Sequence, residues 1–169
     1  MQLHDYLLIA YLIVAFVWDV KWYKIPNWLT MGAVATGLVY HLIVGGIDGL
    51  IFSGLGMLAG GGLLLLLYFF KAVAGGDVKL FAGIGALVGV EHALYDMMYA
   101  IVYAGIIGIV LLLFSRKIML RVVNAFMQVF MKWLARDFKA LEFSVGKTTR
   151  FPFMYAVLPG VATTYWFTL

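Results

Sequence analysis

Long apolar runs alternate with short polar breaks along the chain. Six such runs cover 3–18, 28–47, 50–70, 80–95, 97–115 and 152–168. Several of them are close to the ~20 residues that a tilted helix needs to cross a bilayer. The apolar residues are continuous rather than alternating, which favours helices over the strands of a β-barrel. The pattern therefore predicts an all-α, polytopic membrane protein with about six transmembrane helices.

The basic residues are confined to one side of this predicted bundle. All twelve fall in the breaks between spans 1 and 2, 3 and 4, and 5 and 6. The acids of the opposite side have no lysine or arginine near them, and they are Asp5, Asp48, Glu91 and Asp96. This distribution follows the positive-inside rule, so we expect the basic side to be cytoplasmic and both termini to face away from it. No basic cluster is interleaved with aromatic residues as a base-stacking surface requires, so no nucleic-acid partner is predicted.

Composition narrows the possible chemistry. Hydrophobic residues make up 65% of the 169 residues, and the mean hydropathy of +1.03 is too high for a soluble domain. The absence of cysteine excludes disulfides, thiol nucleophiles and thiolate metal sites. His4, His41 and His92 all fall on the outward-facing side, away from the cytoplasmic carboxylates. We therefore interpret them as packing or interfacial residues and expect no metal ligand among them.

One long polar segment, 116–150, separates the fifth and sixth spans. Its basic and polar residues recur every three or four positions, opposite a face rich in aromatic and aliphatic residues. This period predicts a basic amphipathic helix that lies in the cytoplasmic interface and contacts membrane lipids. A packed cytoplasmic helix hairpin is the alternative. The whole chain, 1–169, is predicted to be one membrane-embedded domain with 116–150 as its cytoplasmic segment.

Two acids remain on the basic side of the predicted spans. Asp19 ends span 1 and Asp77 precedes span 4, so both lie at the same predicted depth. If these two spans are neighbours, the carboxylates can face each other and act as an aspartic-protease pair, in which one activates water and the other donates a proton. The alternative is a structural ion pair for each acid, with Lys21 or Lys24 for Asp19 and with Lys71 or Lys79 for Asp77.

The sequences around the two aspartates are distinctive. Asp19 begins the stretch DVKWYKIPN, and Asp77 lies within AVAGGDVKLFAGIGALVG. Together with RFPFMYAVLPG near the C-terminus, this order resembles the type IV prepilin peptidases, which are GxGD-type intramembrane aspartic proteases. That family has one aspartate upstream of Ile-Pro-Asn and a second in Gly-x-Gly-Asp-Val-Lys-Leu. The resemblance extends over nearly the whole chain.

The resemblance implies a function and a set of site residues. It implies an aspartic endopeptidase that removes the leader of prepilins and pseudopilins at the cytoplasmic face of the inner membrane, with no cofactor and no metal. The implied catalytic residues are Asp19 and Asp77, and the supporting motif consists of Pro26, Asn27, Gly75, Gly76 and Lys79. From the residues themselves, Pro26 is expected to fix the turn into span 2 with Asn27 as a helix N-cap. The glycine pair is expected to supply a backbone turn before the second aspartate.

Two departures from the family pattern refine the expectation. Ala74 replaces the first glycine of Gly-x-Gly-Asp, where a positive φ would be strained. The Cys-x-x-Cys region of the large prepilin peptidases has no counterpart, so the chain resembles the short, peptidase-only branch that serves Flp-type, tight-adherence pili. An archaeal preflagellin-type peptidase and a non-catalytic assembly protein of a pilus or secretion system are the alternatives.

Overall fold

A computed structural model describes residues 3–70, 73–114, 120, 124, 127 and 153–168 of the chain. These residues form helices and contain no strand, which confirms the all-α prediction. The helices are α1 (Leu3–Trp22), α2 (Asn27–Phe69), α3 (Gly75–Phe114) and α4 (Met154–Thr168). The predicted amphipathic segment, 116–150, lies outside the described residues except for three isolated positions, so it stays a prediction.

Three of these helices are long and apolar enough to cross a membrane: α1, α2 and the part of α3 from Gly75 to Leu111. Two of the three have about twice the necessary length, and each contains one glycine with a non-helical backbone. Gly46 has φ 60° and Gly89 has φ 81°. These angles lie in the left-handed region, which glycine adopts at little cost and other residues rarely do. Each long helix therefore consists of two helical segments joined at a glycine.

The first segment of α2, 27–45, runs parallel to the beginning of α3. At one end, Lys79 Nζ donates a hydrogen bond to Asn27 Oδ1 at 2.8 Å. Further along both helices, His41 Nε2 lies 2.9 Å from the carbonyl oxygen of Leu87. Both residue numbers rise together, so the two segments point in the same direction.

The second segment of α2, 47–69, runs antiparallel to the same part of α3. Ser53 Oγ donates a hydrogen bond to the carbonyl oxygen of Ala86 at 2.7 Å. About two helical turns later in α2, Gly60 lies against the backbone of Phe81. Because the two segments of α2 contact one helix in opposite directions, the chain reverses at the glycine between them.

Helix α1 is antiparallel to α4. The backbone N–H of Met154 donates to Asp19 Oδ2 at 3.1 Å, and Tyr165 Oη donates to Asp5 Oδ1 at 2.8 Å. The start of α3 also lies beside α1, since Tyr11 Oη donates to the carbonyl oxygen of Leu80 at 3.3 Å. This contact makes the predicted spans 1 and 4 neighbours.

The later part of α3, 90–104, runs antiparallel to α4. The rings of His92 and Tyr165 are 6.4 Å apart, and Gly160 lies against the backbone of Ala100. Asp77, which precedes Leu80 in α3, lies near Asp19, which follows Tyr11 in α1. The beginning of α3 is therefore antiparallel to α1, and because α1 is antiparallel to α4, the two parts of α3 point in opposite directions. The chain therefore reverses at Gly89.

This reversal corrects one predicted boundary. The break between spans 4 and 5 was expected at Asp96, where a carboxylate interrupts the apolar run, but the turn comes seven residues earlier. Asp96 lies inside the returning helix and is fully buried. Only a residue without Cβ reaches φ 81° easily, so the position of the turn is set by Gly89 and not by the polar residue.

The helices meet closely at glycines. A Cβ on Gly56 would collide with the carbonyl oxygen of Gly85, and a Cβ on Gly85 would collide with that of Gly56. Small residues allow such close backbone approach between membrane helices. The first part of α3, which contacts α1 and both segments of α2, is buried almost without interruption over 80–89. This is expected for a helix with neighbours on every side.

The reversals give the bundle two ends. The aspartate end contains Asp19, Asp77 and Asn27, and the histidine end contains His4 and His41. By internal contacts the chain divides into a larger unit, Met1–Ala104 with Phe151–Leu169, and a smaller unit, Gly105–Arg150. Both ends belong to the larger unit. In the smaller unit, residues 105–114 form the last turns of α3.

Candidate active site

Asp19 lies in the last turn of α1 and is buried. Its Oδ2 accepts the backbone N–H of Met154, the first residue of α4, at 3.1 Å. The first N–H groups of a helix have no partner within the helix, and the helix dipole is positive at that end. The fold therefore directs the N-terminus of α4 at this carboxylate, an arrangement that stabilises an anion.

Asp77 lies in the first turn of α3 and is half-buried. Its Oδ2 accepts the backbone N–H of Ala74 at 3.1 Å, and its own N–H donates to the carbonyl oxygen of Ala74 at 3.0 Å. A carboxylate at the third helical position that reaches back to the N-cap N–H is one half of a capping box. Ala74 is not among the residues with positive φ, so its substitution for glycine produces no backbone strain.

The two carboxylates are close enough for the charge of Asp19 to act on Asp77. They come from segments 58 residues apart, and each uses Oδ2 for its backbone hydrogen bond. Among the described residues, no partner is found for Oδ1 of either aspartate. Each carboxylate therefore has one oxygen held by the fold and one oxygen left for water or substrate.

The expected ion pairs with lysine are not formed among the described residues, where the ion pair present joins His4 and Asp5. Lys79 binds Asn27, and the ammonium group of Lys21 lies 4.6 Å from the ring centre of Trp22. Lys71 lies outside the described residues. The structural ion-pair alternative therefore gains no support from Lys21, Lys24 or Lys79.

The prediction that Asn27 caps α2 with its side chain is wrong. Pro26 occupies the N-cap position without a side-chain hydrogen bond, and Asn27 is the first residue of the helix. The carbonyl oxygen of Pro26 accepts the N–H groups of Leu29 and Thr30 at 3.2 and 3.4 Å. Because the side chain of Asn27 is not used to cap α2, its amide oxygen is available to accept the hydrogen bond from Lys79.

The prediction of a glycine turn before Asp77 is also wrong. Gly75 and Gly76 have no positive φ and form the first turn of α3. A Cβ on Gly75 would lie 3.5 Å from the Tyr68 ring, whereas a Cβ on Gly76 would meet nothing within 4 Å. Gly76, the residue before Asp77, therefore borders open space.

One contributor to the site was not predicted from the sequence. The N–H donor to Asp19 is a backbone group of Met154, and any residue type at that position could supply it. Phe153, which precedes it, packs against Phe81 with ring centres 6.4 Å apart. The aromatic stretch RFPFMY was recognised only through its resemblance to a family motif, and its contact with α1 depends on the tertiary fold.

The histidine end holds a second polar cluster. Tyr165 donates to Asp5, which is paired with His4 at 3.3 Å, and the rings of His4 and His41 are 5.8 Å apart. Asp96 is fully buried beside Thr164. Within the part of the chain that the structure describes, no group of three or more histidine, aspartate or glutamate side chains is arranged to hold a metal ion.

A family model described as the type IV leader peptidase family matches residues 6–113 of the chain. This range is nearly two thirds of the sequence and includes both Asp19 and Asp77. No curated protein and no solved structure matches the chain at a significant level.

Proposed function

The chain belongs to the type IV leader peptidase family, and we propose that it is an aspartic endopeptidase whose catalytic pair is Asp19 and Asp77. The observation that carries this proposal is the shared environment of the two carboxylates. Both lie near each other at the aspartate end, each is held by one backbone N–H, and neither is neutralised by a described lysine.

The chemistry follows from two carboxyl groups that share one proton. The ionised carboxylate takes a proton from water, and the water oxygen attacks the carbonyl carbon of the scissile peptide bond. The protonated partner gives its proton to the carbonyl oxygen, which forms a tetrahedral intermediate. When this intermediate collapses, the C–N bond breaks, one carboxyl group gives its proton to the leaving amine, and the other carboxylate takes a proton from a hydroxyl of the intermediate, which restores the shared proton. The two carboxyl groups carry out every proton transfer and water is the nucleophile, so the proposed reaction uses no metal or cofactor.

The membrane arrangement in this proposal has six spans. The reversals at Gly46 and Gly89 divide the long helices, which gives α1, two segments of α2, two segments of α3, and α4 in alternating directions. The described lysines, Lys21, Lys24 and Lys79, all lie at the aspartate end. The positive-inside rule then makes this end cytoplasmic, in the inner membrane.

The proposed substrate is a prepilin or pseudopilin whose hydrophobic helix stays in the bilayer while its leader projects into the cytoplasm. The scissile bond of such a substrate lies at the membrane edge, at the depth of the aspartate end. The open space beside Gly76 gives an extended peptide room to reach Asp77. Flp-type prepilins are the substrates proposed first, and archaeal preflagellins are the alternative.

Co-expression with a candidate Flp-type prepilin tests the proposal, with leader loss read by gel shift and intact mass. Asp19→Asn and Asp77→Asn should each lower cleavage per folded molecule on the order of 10³-fold, because each removes a group that transfers a proton and keeps its shape. The double variant should be no slower than either single one, because the pair acts as a unit.

Two matched controls use acids at the histidine end. Asp48→Asn changes an exposed carboxylate and Asp96→Asn a buried one, and both should retain cleavage within a few-fold per folded molecule. Near-normal cleavage by Asp19→Asn or Asp77→Asn would refute the catalytic pair. It would leave a membrane assembly role as the better explanation of these two residues.

A further inference from the structure

Three tryptophans form a cluster at the aspartate end. The ring centres of Trp18 and Trp22 are 4.8 Å apart, and Trp28 meets Trp18 edge-on at 5.6 Å. Trp22 is 48% exposed and Trp28 is 61% exposed. The cluster joins the end of α1 to the start of α2, and it presents large aromatic surfaces to the surroundings of the bundle.

Two lysines belong to the same stretch of chain as this cluster, between Trp18 and Trp28. Lys21 places its ammonium group 4.6 Å from the ring centre of Trp22, and Lys24 is exposed in the turn between α1 and α2. Neither lysine forms an ion pair with a described carboxylate. Within the described part of the chain, no carboxylate therefore competes with an external anion for these two lysines.

This combination has the chemistry of the lipid headgroup region. Tryptophan concentrates at membrane–water interfaces because one edge of its ring is apolar and the other can donate a hydrogen bond. Lysine at the same level is attracted to lipid phosphate, while its aliphatic chain lies along apolar surface. A soluble protein partner would explain the lysines, but it would not explain indole rings at the edge of an apolar bundle.

The cluster is positioned to set the depth of the active site. Trp18 precedes Asp19 directly, and Trp22 follows it after one helical turn. A helix rises 1.5 Å per residue, so these rings and the carboxylate lie within about one turn of each other along α1. Whatever holds the rings at a given depth also holds Asp19 there.

We propose that Lys21, Lys24 and the surrounding tryptophans form a binding site for the phosphate headgroup of anionic lipids, which anchors the aspartate end at the level of the headgroups. The site would keep Asp19 within reach of water while the rest of α1 remains in hydrocarbon. This proposal does not depend on the cleavage reaction and can be tested without a substrate.

The test uses a variant with Trp22 as the only tryptophan, the other four being replaced by phenylalanine, in vesicles. Its fluorescence is quenched with brominated phosphatidylglycerol or brominated phosphatidylcholine. We expect the anionic lipid to be preferred by roughly 25-fold, about fivefold for each of the two lysines. Changing Lys21→Gln and Lys24→Gln should lower this preference by roughly fivefold per lysine, since each basic residue near the surface contributes about that factor.

Trp166 supplies the matched control. It is 82% exposed near the end of α4 that contacts Asp5, where the described residues include no lysine or arginine. A variant that retains only Trp166 should show little preference between the two lipids. Equal quenching of Trp22 by both lipids would overturn the proposal. Protection of Trp22 from both would also overturn it, because the cluster would then be covered by protein.

Native mass spectrometry provides a second measurement if a single-tryptophan variant does not fold. The unmodified chain should retain more bound phosphatidylglycerol than the Lys21→Gln/Lys24→Gln variant, which keeps all five tryptophans. Equal retention by the two proteins would contradict a headgroup site at these lysines.

Discussion

The two ends of the bundle use the same residue type for opposite purposes. At the aspartate end, Asp19 and Asp77 are each held by a backbone N–H at a helix start. At the histidine end, Asp5 is held by the side chains of Tyr165 and His4. Backbone donors stabilise a carboxylate while occupying little space, so a face remains open. Bulky side-chain donors fill that space, and the acid then joins helices together.

The largest expected effect concerns the sides of the membrane on which the two ends lie. Because the chain has no cysteine, Lys21→Cys and Asp48→Cys provide single labelling positions on a clean background. In intact cells, a membrane-impermeant maleimide should label position 48 and leave position 21 unlabelled, and inverted vesicles should give the reverse. Labelling of both positions from one side would refute the six-span arrangement and remove the distinction between the ends.

The next effect is the opposite response of two glycines to one change. Gly89→Ala should cost about 1–3 kcal/mol of unfolding free energy, because its backbone is left-handed. In addition, its new methyl group would collide with the Phe52 ring. Gly76→Ala should gain up to about 1 kcal/mol, because it is helical and faces open space.

Thermal unfolding in detergent measures the stability of both variants. Cleavage assays then show whether Gly76→Ala also hinders access of the substrate to Asp77. If substrate uses the space beside Gly76, the stabilised alanine variant should have a raised KM. A loss of stability in Gly76→Ala would show that this space is filled. Unchanged stability of the Gly89→Ala variant would show that the chain does not need a glycine to reverse direction at the histidine end.

The smallest effect concerns the hydrogen bond between Tyr165 and Asp5. Tyr165→Phe should lower the unfolding free energy by about 0.6 kcal/mol, the average for a hydrogen bond between membrane helices. Tyr103→Phe is a matched control, since Tyr103 in α3 shares a 2.9 Å hydrogen bond with Thr163, which lies in α4 as Tyr165 does. Both variants should cleave normally per folded molecule. A selective loss of cleavage in Tyr165→Phe would mean that the histidine end contributes to the reaction.

Much of the fold was predictable because it depends on composition and charge. The apolar runs predicted helices, and the position of lysines and aspartates predicted which ends share a side. The turn at Gly89 was not predictable, because a buried aspartate and a loop aspartate look alike in sequence. Asp96 was assigned to a loop for that reason, although it packs beside Thr164 within the bundle.

The candidate site shows the same division. Asp19 and Asp77 could be proposed from the sequence because a carboxylate is recognisable and its motif is distinctive. The contacts around them could not be predicted. Met154 contributes only a backbone N–H to Asp19, and Lys79 binds Asn27, which is 52 residues away in sequence. Residue preferences near a helix start predicted Asn27 as an N-cap, but its side chain instead binds Lys79, which is distant in sequence.

The single-glycine reversals also bear on how the chain enters the membrane. A hairpin whose turn is one residue long leaves almost no hydrophilic loop to translocate. On the six-span arrangement, the charged residues within two positions of the turns at Gly46 and Gly89 are Asp48 and Glu91. Both are acidic, and acidic residues resist translocation less than basic ones do. Each pair of helical segments can therefore enter the bilayer together as one hairpin during synthesis, with the aspartate end remaining on the ribosome side throughout.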